Sequence, residues 1–201
     1  MGNIWSVQSA VNFLGVTCEV ISQPDHLEGA SHVILPGVGS FRVAMETLRA
    51  RGMVDSVVDW VKKGNGCLLG ICLGMQLLAR ESDEDGVTEG FGFLHQRVEH
   101  FRRDPSHRLR IPHVGFNSLT FEESEGIFRG LKNGCDFYFV HSYRISDQAS
   151  SGRQGFTTYG EQFLGAIERE NVWGVQFHPE KSQSNGLRLL SNFLETNLHS
   201  C

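Results

Sequence analysis

The residues best suited to covalent chemistry stand at Gly70–Gly74, where the chain reads Gly-Ile-Cys-Leu-Gly. This pattern is the thiol counterpart of the nucleophile elbow G-x-S-x-G, which holds the nucleophile in a strained turn between a strand and a helix. The apolar run Cys67–Ile71 predicts the strand, and Leu73–Arg80 predicts the helix. We therefore interpret Cys72 as a candidate nucleophile, although a free cysteine also packs as a small hydrophobic residue.

A nucleophilic thiol needs a base, and the stretch Gln176–Glu180, which reads Gln-Phe-His-Pro-Glu, contains one. His178 follows the predicted strand Val172–Phe177, and Glu180 lies two residues further on. If the chain stays extended there, both side chains leave on the same side. Glu180 could then accept from one imidazole nitrogen while the other nitrogen faces Cys72. Taken alone, His-Pro-Glu is more typical of a surface turn.

A loop with two glycines, Leu35–Phe41, follows the predicted strand His32–Leu35. Glycine lets the backbone approach a ligand and turn its N–H groups inward. The N–H of Leu73, directly after the candidate nucleophile, is a further possible donor to an oxyanion. A P-loop is excluded because the Gly-Lys-Ser/Thr ending is missing. An ordinary strand-to-helix loop accounts equally well for this stretch alone.

The elements that must position these groups alternate along the chain. Helical patterns cover Ser6–Leu14, parts of Val43–Lys63, Leu73–Arg80 and Ser184–Leu198. Strand patterns cover Glu19–Ser22, His32–Leu35, Cys67–Ile71, Phe137–His141, Phe163–Glu168 and Val172–Phe177. This order predicts an α/β fold, with a mostly parallel sheet flanked by helices and a small antiparallel appendage. No repeat divides the chain, so we expect one domain over residues 1–201.

The composition excludes several classes of function. The net charge of −5 argues against nucleic acid as a partner. Apolar runs stay well short of the roughly 20 residues that cross a membrane, and no signal peptide is recognisable. The five cysteines form no Cys-x-x-Cys pair, and the nine histidines show no ligand spacing. We expect a cytoplasmic protein that binds neither metal nor cofactor.

Three motifs, at Leu35–Phe41, Gly70–Leu78 and Phe177–Ser182, resemble in order and spacing those of the class I glutamine amidotransferases. The resemblance covers essentially the whole chain. Two further segments, Ile111–Asn117 and Phe137–Arg144, resemble the glutaminase subunits of imidazole glycerol phosphate synthase. The family hydrolyses L-glutamine by acyl transfer to a cysteine and releases glutamate and ammonia.

The resemblance also implies roles for individual positions. The catalytic roles are those of Cys72 as nucleophile, His178 as general acid and base, and Glu180 as the residue that orients the imidazole. Backbone N–H groups of an oxyanion hole are implied at Val38, Gly39 and Leu73. Contacts to glutamine are implied at Gly37, Gln76, Glu84, Ser142 and Tyr143. Contacts to a partner protein are implied at Phe116 and Lys181.

The implied partner is a (β/α)₈ cyclase subunit in a heterodimer. It receives the ammonia and forms imidazole glycerol phosphate and an aminoimidazole carboxamide ribonucleotide in histidine biosynthesis. This sequence departs from the usual pattern at Val114, at Phe116 and at Arg144, which we expect on the surface facing the partner. These departures also fit a paralogous glutaminase that supplies ammonia to a sugar amidotransferase in surface-polysaccharide biosynthesis.

Another departure concerns the first strand. Family members usually begin with a short apolar strand before a Gly-Asn pair, and this chain opens at Met1–Asn3. We therefore expect the fold to lack that strand, and a truncated, non-catalytic relative is a further alternative. A stand-alone cysteine hydrolase with the same elbow is also possible, and glutamate release that ignores every partner would favour it.

Overall fold

The computed structural model describes residues 2–64, 66–102, 109–146 and 151–196. Its helices are α1 Gly2–Phe13, α2 Phe41–Ala50, α3 Met53–Lys62, α4 Leu73–Leu77 and α5 Gln183–Leu194. Its strands are β1 His32–Gly37, β2 Cys67–Cys72, β3 Glu81–Ser82, β4 Thr88–Glu89, β5 Arg97–His100, β6 His113–Phe121, β7 Cys135–His141, β8 Tyr143–Ile145, β9 Arg153–Tyr159, β10 Glu161–Arg169 and β11 Val172–Val175. The last two residues of the predicted helix Ser184–Leu198 lie outside the described residues.

A seven-stranded sheet in the order β1-β2-β11-β10-β9-β6-β7 forms the centre of the molecule. The predicted α/β class, with helices packed on the sheet and a small second sheet, is confirmed. Within this sheet, parallel pairing is limited to β1 with β2 and β2 with β11, and the other neighbours are antiparallel, so the sheet is mixed. The reason is that β9, β10 and β11 are joined by short turns, which can connect only antiparallel strands. The second sheet has the order β4-β3-β5-β8.

The predicted strand Glu19–Ser22 is wrong, since these residues belong to no ladder. A strand exists through its hydrogen bonds to a neighbour, and no strand precedes β1 within the described residues. β1 is accordingly an edge strand, half-buried along its length. β2, one strand further in, is completely buried, as its continuous apolar sequence predicted.

Two hydrophobic clusters sandwich the large sheet. Along β2, Leu69 and Ile71 face the cluster that contains α1 and α5, whereas Leu68 faces the cluster that contains α2 and α3. This alternation is the two-residue period of a strand buried on both faces. Both layers therefore brace β2, whose last residue is Cys72.

The sequence patterns did not predict β6 and β9. Both strands mix polar and apolar residues, so their sequences lack the uninterrupted apolar run that identified β2. β6 pairs antiparallel with β7, and His113 lies opposite His141 in that ladder. These strands bring residues from the middle of the chain next to the carboxyl ends of β2 and β11.

Candidate active site

Cys72 stands on a strained turn between β2 and α4. Its φ of 55° and ψ of −110° are rare for any residue other than glycine. A Cβ at Gly74 would collide with the carbonyl oxygen of Leu35, and one at Gly70 would lie 2.6 Å from the carbonyl oxygen of Gly74. Both flanking glycines are therefore required by the close packing of the turn, as the elbow pattern predicted.

The predicted oxyanion loop runs beside the elbow. Gly37 lies opposite Cys72 in the parallel ladder of β1 and β2. A Cβ on Gly37 would lie 2.9 Å from the Cβ of Leu73, so the loop is in close contact with the start of α4. Val38 is 57% exposed, and Gly39 has a φ of 107°. The loop and the first residue of α4 thus flank one side of the thiol.

His178 connects the thiol to a carboxylate. Its Nδ1 lies 2.9 Å from Oε1 of Glu180, and both side chains are almost fully buried. The thiol of Cys72 also interacts with this ring and raises its pKa. The expectation of an extended chain here is wrong, because Pro179–Lys181 forms a 3₁₀ turn. Proline fits the first position of a helical turn, and this turn still brings the carboxylate back to the ring.

The pKa of His178 is raised to about 9. Burial of the ring lowers the pKa, but the hydrogen bonds and charges of Cys72 and Glu180 outweigh that effect. The imidazole therefore carries a proton at neutral pH. A protonated ring beside a thiol is able to donate that proton to a leaving group.

Two buried glutamines adjoin the thiol. Nε2 of Gln176 donates to Sγ of Cys72 at 3.8 Å, and Nε2 of Gln76 donates to Oε1 of Gln176 at 3.0 Å. Nε2 of Gln76 also donates to the carbonyl oxygen of Tyr143 at 2.9 Å. Sequence analysis did not single out Gln176. The available signal was a polar residue inside the apolar run Val172–Phe177, with no indication of what it would contact.

The other positions predicted to contact glutamine lie on several elements. Oε2 of Glu84 accepts from the N–H of Phe41 at 2.8 Å, so its carboxylate is bound at the start of α2. The carbonyl oxygen of Ser142 accepts from the N–H of Phe101 at 3.0 Å. Hydrogen bonds join Gln76 and Tyr143 to the thiol, whereas Glu84 contacts the helix that follows the oxyanion loop.

An exposed apolar patch lies close to the thiol. It consists of Val114, Phe116, Tyr138, Val140 and Lys181, and we call it the apolar patch. Val114 and Phe116 are 55% and 53% exposed on β6 and lie opposite Val140 and Tyr138 on β7. The ring of Tyr138 is 5.5 Å from that of Phe116 and 5.8 Å from Nζ of Lys181. Sγ of Cys72 lies 3.9 Å from the carbonyl oxygen of Val140, so the patch directly adjoins the site.

The expectation that Arg144 faces a partner is wrong. Its side chain is only 3% exposed and forms ion pairs with Glu99, at 3.0 Å, and with Glu161, at 2.8 Å. A buried guanidinium requires such partners, so Arg144 ties the small sheet to β10. Its departure from the family pattern is explained by packing inside the molecule.

The part of the chain that the structure describes offers neither a metal site nor a membrane-spanning helix. No cluster of three or more histidine, cysteine, aspartate or glutamate side chains there is arranged to hold a metal ion. In the same residues, no helix combines the length and apolar character needed to span a membrane. No disulfide joins the four described cysteines, Cys18, Cys67, Cys72 and Cys135, to one another.

Comparison with known proteins identifies a family model and close relatives. The model described as "Glutamine amidotransferase class-I" matches residues 2–197. A Moorella thermoacetica protein named "Imidazole glycerol phosphate synthase subunit HisH" is 44% identical over 200 residues, which are 100% of this chain and 93% of the relative. A protein of the same name from Chlorobium luteolum is 42% identical over 195 residues, which are 96% of this chain and 95% of the relative.

Solved structures show the same fold. A crystal structure described as a glutamine amidotransferase superposes with a TM-score of 0.74 at 24% identity, covering 96% of this chain and 93% of the other. A glutamine amidotransferase from Thermotoga maritima superposes with a TM-score of 0.62 at 16% identity, covering 94% of this chain and 76% of the other. The fold observed here is therefore one that glutamine amidotransferases adopt.

Proposed function

This chain belongs to the class I glutamine amidotransferases, and we propose that it hydrolyses L-glutamine to glutamate and ammonia with Cys72 as the nucleophile. One observation carries the proposal. Cys72 is held on the strained elbow and interacts with His178, whose Nδ1 lies 2.9 Å from the carboxylate of Glu180. A thiol, an imidazole and a carboxylate linked in this order form the arrangement that activates a cysteine for acyl transfer.

The first half of the reaction forms a thioester. The proton shared by Cys72 and His178 lies on the ring, and the sulfur attacks the side-chain carboxamide carbon of glutamine. His178 holds that proton at neutral pH because its pKa is raised to about 9. The C–N bond then breaks, and His178 gives the proton to the departing nitrogen, which leaves as ammonia.

The second half cleaves the thioester. His178, now neutral, takes a proton from a water molecule, whose oxygen attacks the thioester carbon. The C–S bond breaks, the proton stays on His178, and glutamate leaves, which restores the starting state. Glu180 keeps Nδ1 of His178 as the donor nitrogen, so that the other ring nitrogen faces the sulfur in both halves.

The negative charge that develops on the carboxamide oxygen needs donors in place before the reaction. We assign this role to the N–H of Leu73 together with an N–H at Val38 or Gly39. In support, a Cβ on the neighbouring Gly37 would lie only 2.9 Å from the Cβ of Leu73, so the loop and the helix start are adjacent. Donors that need no rearrangement lower the barrier more than mobile ones do.

The amino-acid end of glutamine carries one positive and one negative charge. We assign the ammonium group to Glu84 and to Oε1 of Gln76, because both hydrogens of the Gln76 amide are donated to Tyr143 and Gln176. The carboxylate is assigned to backbone N–H groups at Ser142 and Tyr143, and Gly37 lets the oxyanion loop lie close to the start of α4 at the edge of the site. Groups that bind both charges would select free glutamine over a glutamine residue within a peptide, which lacks them.

We assign the apolar patch to a partner protein. The relatives in Moorella and Chlorobium are named as subunits of imidazole glycerol phosphate synthase, which favours the (β/α)₈ cyclase of histidine biosynthesis as that partner. Phe116 and Lys181 lie on the patch beside the thiol, so ammonia could pass to the partner without entering bulk solvent. No disulfide joins the described cysteines to one another, which fits a reducing compartment, and we propose the cytoplasm.

Glutamate release by the purified chain tests the proposal. The assay runs with and without the cyclase of an imidazole glycerol phosphate synthase and its nucleotide ligand. We expect the partner to raise the rate between about 5-fold and 150-fold, and Cys72→Ala to remove the activity in both conditions. Absence of glutamate release in both conditions would refute the glutaminase assignment, and release that ignores the cyclase would refute the partner.

Two valine substitutions separate the patch from a general surface effect. Val114 lies in the apolar patch, whereas Val87 is 65% exposed in the turn between β3 and β4. We expect Val114→Asp to abolish stimulation by the cyclase, since docking would bury the new charge. Val87→Asp should leave stimulation unchanged. Equal stimulation of both variants would place the partner on another surface.

A further inference from the structure

A continuous chain of hydrogen bonds connects the sulfur of Cys72 to strand β6. It begins with Gln176 and Gln76 and reaches the carbonyl oxygen of Tyr143. That oxygen also accepts from Nδ1 of His141 at 2.8 Å, so its two lone pairs are both occupied. The chain then continues through a pair of buried histidines that the proposed reaction does not use.

The second half of the chain lies between β7 and β6. Nε2 of His141 is 3.0 Å from Nδ1 of His113, and Nε2 of His113 is 3.2 Å from Nδ2 of Asn117. The ring of His113 stacks on those of Phe139 and Tyr159, with centroids 4.9 Å and 4.0 Å away. His113 and His141 are 2% and 6% exposed, so the pair is part of the rigid interior.

The position of each proton in the histidine pair follows from its partners. A carbonyl oxygen only accepts, so Nδ1 of His141 carries hydrogen. Burial lowers the pKa of His141 to about 3 and that of His113 to about 4, and both rings are therefore neutral at pH 7. Nε2 of His141 must then accept from Nδ1 of His113, and Nε2 of His113 accepts from the amide of Asn117.

The same reasoning orients the two glutamine amides. Because the Tyr143 oxygen only accepts, Gln76 must present its NH₂ group there. The second hydrogen of that group faces Gln176, which must present its oxygen. The NH₂ group of Gln176 is then directed at the sulfur of Cys72, where its donation stabilises negative charge. Rotation of either amide would bring two donors or two acceptors together.

We propose that His113 and His141 are positioning residues, which fix the Tyr143 carbonyl and, through Gln76 and Gln176, direct an amide N–H at the sulfur of Cys72. This inference rests on the proposed function insofar as that sulfur attacks glutamine. Neither histidine contacts the thiol through the bonds described, so their effect passes through the two amides. The two rings lie in facing strands, with His113 opposite His141 in the β6–β7 ladder.

Alkylation of Cys72 by iodoacetamide tests the inference without requiring any turnover of glutamine. The readout is the modification rate of the peptide that contains Cys72, measured by mass spectrometry on the folded full chain. Gln176→Leu removes the donor to the sulfur, and we expect the rate to fall about fivefold or more, as the loss of one hydrogen bond implies. His113→Phe keeps the ring stacking but removes both hydrogen bonds of that ring, and we expect a fall in the same direction.

A milder variant covers the case in which His113→Phe does not fold. Asn117 is half-buried, and Asn117→Asp keeps the shape of that side chain while replacing its NH₂ donor with a carboxylate oxygen. A carboxylate oxygen facing Nε2 of His113 would draw the ring proton to that nitrogen, leaving two acceptors between the histidines. We expect Asn117→Asp to slow alkylation of Cys72. His113→Gln can both donate and accept a hydrogen bond, and we expect it to be alkylated faster than His113→Phe.

Asn171→Asp is the matched control. The amide of Asn171 donates to the carbonyl oxygens of Val61 and Gly66 at the opposite end of the sheet. Asn171→Asp should lower the melting temperature without slowing alkylation of Cys72. Unchanged alkylation in folded Asn117→Asp and His113→Phe would overturn the positioning role. If the variants slow alkylation but the unmodified chain never hydrolyses glutamine, the positioning role is supported and the proposed function is refuted.

Discussion

Two buried histidine environments near Cys72 favour opposite charges. The pKa of His178 is raised to about 9, whereas that of His141 is lowered to about 3. Burial is the largest influence in both and lowers the pKa of each ring. His178 overcomes it because its neighbours are a carboxylate and a thiol, while His141 faces a carbonyl oxygen and a second imidazole. The charge of the hydrogen-bond partner therefore decides the sign of the shift.

The two environments suit two different roles, proton transfer and the fixing of a hydrogen-bond direction. A ring that changes charge readily can move a proton during a reaction, as proposed for His178. A ring held neutral over the physiological range keeps one tautomer and therefore one hydrogen-bond direction, as inferred for His141. The following predictions remove or weaken one side of this contrast at a time.

Cys72→Ala should have the largest effect. It removes the proposed nucleophile, so glutamine hydrolysis should fall by a factor on the order of 10⁶. The substitution also removes one of the two groups that raise the pKa of His178, which should fall from about 9 when measured by NMR titration. Ammonia-dependent synthesis by the complex should persist. Glutamate release by this variant would show that the nucleophile is another residue.

The rate of glutamine hydrolysis by His178→Ala should fall almost as far, because members of a catalytic triad act as a unit. The variant keeps the elbow and the oxyanion loop, so its folding should be close to that of the unmodified chain. Steady-state glutaminase kinetics would measure the loss. A rate near that of the unmodified chain would remove His178 from the mechanism and leave its raised pKa without a role.

Glu180→Gln should have a smaller effect, on the order of 10⁴. The substitution preserves shape but removes the negative charge, and an amide can present a donor to the ring where a carboxylate only accepts. The pKa of His178 should fall, which moves the basic limb of the pH–rate profile to lower pH. An unchanged profile would mean that Cys72 alone sets the charge of the ring.

The smallest effect should be on the free energy of unfolding at acid pH, which tests the environment of His113 and His141. The folded-state pKa values of His113 and His141, about 4 and about 3, lie below the ordinary value of 6.5. Between these values the unfolded chain binds more protons, so the free energy of unfolding should fall as the pH drops from about 6.5 towards 4. Urea unfolding at several pH values would measure the slope.

His141→Phe should flatten that slope, since it removes the more strongly shifted group. The variant should also be less stable at pH 7, where the lost hydrogen bonds to Tyr143 and His113 act, so the comparison uses the slope and not the absolute value. His178 would contribute in the opposite direction, because a raised pKa adds stability at low pH that is lost as the pH rises through about 9. A slope identical to that of the unmodified chain would contradict the low pKa of His141.

Local patterns in the sequence determined the elbow. Gly70, Cys72 and Gly74 lie within one turn of chain, and the collisions that exclude side chains at the two glycines involve Leu35 and the turn itself. The pairing of His178 with Glu180 was predicted for the same reason, since a separation of two residues allows few arrangements. The route was different, because Pro179 begins a 3₁₀ turn where an extended chain was expected.

Predictions failed where a distant partner decided the outcome. Glu19–Ser22 has the composition of a strand, but no described neighbour supplies a ladder. Arg144 was expected on the surface and is instead buried against Glu99 and Glu161. In both cases the local sequence is compatible with the prediction. For Glu19–Ser22 the deciding factor is the lack of a pairing strand among the described residues, and for Arg144 it is a pair of carboxylates remote along the chain.

The sequence by itself determined the α/β class and the resemblance to glutamine amidotransferases, and it predicted the candidate reactive residues, because these depend on short-range spacing. Only the tertiary structure decided which buried polar groups meet. Gln176 reaches Cys72 across 104 residues, and His113 reaches His141 across 28. The physical reason is that strand order and register create these contacts, and each buried polar group must then find its complement in that arrangement.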